Sequence, residues 1–170
     1  MKIRKNDDIR FQLAVVILLP LLIIVQLAVK DIHAAGLTMH SSWETSLTFH
    51  FVHGNFFHLL LNWWCLLSIS FIYRFRWFDA LAAWLIASCY MFAGTQPIVG
   101  MSGIVYVLIA TMVMDRKYDG KFQVWSLVLV MILATGLIQN IGLGIHLWSF
   151  GLGTIYGVLK YVGRSSLKKL

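Results

Sequence analysis

The stretch HGNFFHLLLNWWCLLSISFIY, residues 53–73, decides how this chain is read. Its apolar run over 55–73 is long enough to cross a hydrocarbon layer of roughly 30 Å as a helix. It nevertheless carries His58 and Asn62, four positions apart and therefore on one helix face. Polar side chains at membrane depth are costly unless they have partners or a task. A helix that keeps two of them on one face is expected to do more than span.

Five further apolar segments lie around it, at 11–29, 78–94, 101–115, 123–140 and 144–160. Hydrophobic residues make up 59% of the 170 and charged residues only 12%, where a soluble domain carries roughly a quarter charged. The expectation is an all-α integral membrane protein, multi-pass, with one domain over residues 1–170. The first segment follows a basic start, MKIRK, as a secretory signal would. Its 19-residue apolar run exceeds a typical signal core and no small-residue cleavage site follows, so it is read as a retained helix. Cys65 and Cys89 both fall inside apolar blocks and are read as helix packing.

The Lys and Arg residues orient the chain. With six spans and a cytoplasmic N-terminus, 13 of them face the cytoplasm and only Lys30 lies outside. That asymmetry follows the positive-inside rule and places the C-terminus in the cytoplasm too. The net charge of +7 is spread in clusters between apolar blocks. It therefore fits a lipid bilayer and not a nucleic-acid partner. The basic tail GRSSLKKL adds affinity for anionic lipid.

All seven acidic residues fall in connections or at segment ends. A protease built on two carboxylates at membrane depth is excluded, and so is a helix-borne HExxH zinc site. His58, Asn62, Ser102 and His146 are left at depth, along with weaker polar groups such as Gln26, Ser68 and Ser149. Counted at 1.5 Å per residue from the cytoplasmic charges, the first four stand about 24, 18, 20 and 21 Å away. All four reach one layer in the outer part of the membrane. Ser102 sits in VGMSGIVY (residues 99–106), just after a glycine-bearing turn at a helix start, where backbone N–H groups are free. A hydroxyl, an imidazole and a set of donors at one level are the parts that acyl transfer needs. Taken alone, Gly-x-Ser-Gly would be a close helix-packing surface, and a lone histidine an interhelical hydrogen bond.

With these residues in hand, the chain resembles the rhomboid family of intramembrane serine proteases over its whole six-segment core. HGNFFHLLLN (53–62) is similar to the family's His-x4-His-x3-Asn pattern, GMSGIVY (100–106) to its Gly-x-Ser-Gly helix start, and GIHLWSFGLG (144–153) to its last-helix histidine. The resemblance implies a serine-type endopeptidase that cleaves transmembrane segments of other proteins with a Ser–His dyad. Ser102 would be the nucleophile and His146 its base. Tyr106 would pack on the imidazole, and His58, Asn62 and the Ser102 N–H would form the oxyanion hole. His53 would sit in a polar cap, and Gly100 and Gly103 would allow close backbone approach. No metal or cofactor is implied. The compact core suggests a bacterial inner membrane. The alternative reading is a catalytically silent relative that binds membrane clients.

The chain departs from the family pattern at three places. Glu44 follows Trp43 where the family often has arginine, Ile145 precedes the histidine in place of alanine, and Ser149 replaces glycine three residues after it. Ser149, Gly153 and Gly157 still keep a small residue at every fourth position, which lets the last helix press on the one that carries Ser102. The Ser149 hydroxyl is expected to bond back to the Ile145 carbonyl. His33, His40, His50 and His53 follow no zinc-binding spacing. Trp43, Trp77, Trp125 and Trp148 fit an interfacial belt.

Overall fold

Long apolar runs and little proline favour helix, and every regular element among the described residues is helical. The computed structural model describes residues 6–115 and 142–166. Among them are seven α-helices in the order α1 (Asn6–Ala28), α2 (Ile32–Ala35), α3 (Trp43–Thr48), α4 (Phe56–Ile72), α5 (Trp77–Ser88), α6 (Ser102–Met114) and α7 (Leu143–Ser166). A 3-10 turn, Phe49–Phe51, links α3 to α4. The sequence segment 123–140 lies outside the described residues.

Among the described residues one helix, over Ile9–Ala28, is long and apolar enough by itself to cross a membrane. The α3 and 3-10 stretch and α4 qualify only as a pair, bent by 84°. The bend falls where Asn55 caps α4, its side-chain oxygen accepting the His58 N–H at 2.8 Å. Such a cap satisfies a donor that the helix leaves free.

α1 runs antiparallel to α4. Trp63 Nε1 donates to the Val15 carbonyl at 2.8 Å, and Gln12 Nε2 to the Ser70 carbonyl at 3.1 Å. Phe11, Gln12, Val15 and Leu22 are buried on α1, with the Phe11 ring against Phe75 and Trp77 just beyond α4. α6 is the central helix, buried on every side from Val105 to Val113, as suits a segment apolar all round. Its most extensive partner is α7. Gly153 lies on the Val107 backbone and Gly157 on Thr111 and Met114, so the small-residue stripe faces α6.

Three expectations are corrected. The third segment was expected to be helical to residue 94, but α5 stops at Ser88. The chain beyond it is used otherwise: Gly94 accepts from the Met39 N–H, and Ile98 pairs with Leu37 in an isolated antiparallel bridge. The connection between α5 and α6 is therefore longer than expected, and it is tied to the first connection. Cys89 is exposed at the end of α5 and is not a packing residue, whereas Cys65 is half-buried. Trp148 is half-buried, its Nε1 donating to the Ile86 carbonyl at 3.0 Å, so it braces α5 against α7. Trp43 and Trp77 are exposed, and Trp125 lies outside the described residues.

Asp79 lies at the start of α5, as expected of an acid at a segment end, but it is fully buried. Its carboxylate accepts the Arg76 N–H at 2.8 Å and the Tyr156 hydroxyl at 2.9 Å, and it forms an ion pair with Lys160. This cluster ties the beginning of α5 to α7.

Candidate active site

α6 begins at Ser102, and its first hydrogen bond runs from the Val105 N–H to the Met101 carbonyl. The N–H groups of Ser102 and Gly103 precede that bond, at the positive end of the helix dipole. The chain enters α6 through Gly100, whose φ of +104° is open to glycine and strained for other residues. The Gly100 N–H donates to the Phe49 carbonyl at 3.1 Å, so the 3-10 turn before α4 holds this entry in place.

Ser102 Oγ lies 2.8 Å from Nε2 of His146, which stands in the first turn of α7. The Tyr106 ring, one helical turn beyond Ser102, stacks on the imidazole with centroids 4.5 Å apart and an interplanar angle of 23°. Tyr106 and His146 are both buried. Nδ1 of His146 has no hydrogen-bond partner among the described residues. When the Ser102 hydroxyl donates to Nε2, that nitrogen is bare and the ring proton sits on Nδ1. Among the described residues, the pair is thus a serine and a histidine with no carboxylate bonded to Nδ1.

His58 approaches the same turn from α4. The Gly54 N–H points at His58 Nδ1 across a long 3.4 Å. A nitrogen that accepts carries no proton, so this contact favours the His58 tautomer with its proton on Nε2. That edge faces Gly100, where an added Cβ would stand 2.9 Å from Cε1 and 3.1 Å from Nε2. Asn62 is buried, and its amide donates to the His58 carbonyl at 2.8 Å. One of its two amide protons is used in this way. His53 is fully buried with its ring edge-on to His58, centroids 5.3 Å apart. It too lies against Gly100.

The structure therefore joins Ser102, His146 and Tyr106 directly. It sets His58 and His53 against Gly100, two residues before Ser102, and ties Asn62 to His58. Gly103 packs on Ser149, Ala87 and Ile145, where an added Cβ would come within 3.1 Å of Ser149 Oγ. Ser149 is fully buried and faces α6, but its expected back-bond to Ile145 is not formed. Its hydroxyl has no hydrogen-bond partner among the described residues, because the side chain is turned toward Gly103.

His50 has a place that spacing did not reveal. It is fully buried, with Nε2 3.0 Å from Ser88 Oγ and its ring against Phe49. It supports the residue whose carbonyl holds Gly100. Only the approach of the 3-10 turn to the end of α5 brings these groups together, and no sequence motif marks it. Among the described residues no group of three or more His, Cys, Asp or Glu side chains is placed to hold a metal ion. No family model, curated protein or solved structure matches the chain.

Proposed function

We propose that this chain is a rhomboid-like intramembrane serine endopeptidase, a multi-pass protein that cleaves transmembrane segments of other membrane proteins. The observation that carries the reading is the 2.8 Å contact between Ser102 Oγ and His146 Nε2 under the stacked Tyr106 ring. In this mechanism His146 takes the hydroxyl proton as Ser102 Oγ attacks the scissile carbonyl carbon. The oxyanion that forms receives hydrogen bonds from the Ser102 N–H, His58 Nε2–H and the free Asn62 amide proton. His146 then gives its proton to the departing amine, leaving an acyl-enzyme on Ser102. Water, deprotonated by His146, attacks the ester; the acyl–Oγ bond breaks, His146 returns the proton to Ser102 Oγ, and the second product leaves as the acid. Tyr106 keeps the imidazole in plane with the hydroxyl through both half-reactions.

The same proposal places six spans in a bacterial inner membrane, with both termini cytoplasmic and the dyad toward the outer face. The 13-to-1 distribution of Lys and Arg supports that orientation.

Labelling of the purified protein with a serine-directed fluorophosphonate tests the chemistry. Label should appear on the native chain and vanish in Ser102→Ala and His146→Ala. Labelling that persists in Ser102→Ala, or is absent from the native chain, overturns the protease reading and leaves a client-binding protein in its place.

A further inference from the structure

The carbonyl oxygen of the Gln26 side chain, near the end of α1, accepts the backbone N–H of His53 at 3.1 Å. The next N–H along the chain, that of Gly54, is the one that points at His58 Nδ1. The His53 ring meanwhile packs edge-on against His58, and both rings lie on Gly100. Three elements thus meet around one residue, His53: α1 through Gln26 at its N–H, the start of α4 through His58 at the next N–H and at its ring, and the entry to α6 through Gly100.

We infer that Gln26 is a positioning residue that sets the tautomer and ring orientation of His58 from α1. The inference rests on the oxyanion role proposed above for His58. The His53–Gly54 backbone lies between the 3-10 turn and α4, outside regular structure, so helix hydrogen bonds do not hold it. The Asn55 cap restrains the other side, the His58 backbone N–H. Gln26 is the side chain that holds His53. With it in place, the Gly54 N–H stays on Nδ1 and the His58 proton stays on Nε2, the edge turned to Gly100. Without it, the turn is free to swing, the 3.4 Å contact opens, and the imidazole can take either tautomer. α1 contributes no group to the dyad, yet it governs one of the donors.

The test uses Gln26→Leu, which keeps the bulk and removes the acceptor, and Gln26→Glu, which restores an acceptor oxygen at the same reach. Two readouts are needed. The first is 15N NMR of the His58 ring in the full-length protein with Ser102→Ala, which reports the tautomer whether or not the chain is a protease. Native Gln26 should give a single form protonated at Nε2, Gln26→Leu a mixture, and Gln26→Glu the native form again. The second is the rate of substrate cleavage, where Gln26→Leu should lower kcat about 10- to 100-fold with KM nearly unchanged, as expected when a donor is displaced by a fraction of an ångström to 1 Å. A Gln26→Leu protein with native His58 signals overturns the inference at once. A tautomer shift without any cleavage by the native chain overturns the protease reading and leaves the positioning role standing.

Discussion

Gly153 of α7 lies directly on the backbone of Val107 in α6. A Cβ at position 153 would stand 2.8 Å from the Val107 Cα and 2.9 Å from its carbonyl oxygen. The same helix pair carries Ser102 at one end of α6 and His146 at the start of α7. The distance between the dyad atoms is therefore set by how closely two helices approach, and that approach is set by the smallest side chain.

Gly153→Val should separate α6 and α7 and draw His146 away from Ser102. A displacement of about 1 Å at reacting groups costs on the order of 10²-fold in rate. Cleavage assays with thermal unfolding on the same preparation check this. A fully active valine variant would show that the backbone contact does not control the dyad.

Ser149→Ala should be neutral or stabilising, because it removes a buried hydroxyl that lacks a partner among the described residues. An unsatisfied buried polar group costs about 1–3 kcal/mol. Ser149→Leu should collapse activity, since Gly103 leaves no room for a longer side chain. The comparison needs unfolding temperatures and rates for both. A clear loss of stability in Ser149→Ala would mean that the hydroxyl has a partner after all.

Ser102→Ala and His146→Ala should each abolish cleavage while the helical fold persists, and the double variant should be no worse than either single one. Groups that act as one unit are non-additive in this way. Circular dichroism and a cleavage assay decide it, and substantial activity in either single variant rules out the dyad.

His58→Ala and Asn62→Ala should each lower kcat by roughly 10²-fold, the usual cost of one oxyanion donor. Gly100→Ala should do comparable damage, since its φ of +104° is unfavourable for alanine and its methyl group would meet the His58 ring. Steady-state kinetics that showed only a raised KM would place these residues in substrate binding.

Asp79→Asn should destabilise the protein without touching the chemistry. Breaking a buried ion pair by removing its carboxylate costs about 3–5 kcal/mol. The double variant Asp79→Asn with Lys160→Met should recover part of the loss. Unfolding measurements on the three proteins test this, and equal stability of the single and double variants would deny the coupling.

The sequence by itself determined what depends on local chemistry. Apolar runs set the helical class, and the i, i+4 spacing put His58 and Asn62 on one face. The glycine at position 100 marked a turn, and the small-residue stripe marked a packing surface on α7. Each of these acts within a turn or two of helix, so it is legible along the chain. The end of α5 was misread because residues 89–93 are apolar enough for a helix; the competing demand, a loop tied by Gly94 and Ile98 to Met39 and Leu37, comes from 55 or more residues away. Only the tertiary structure brought Ser102 to His146, Gln26 to His53, His50 to Ser88 and Asp79 to Lys160. Those pairings depend on the register and separation of packed helices, and these are properties of two surfaces in contact that neither segment encodes alone.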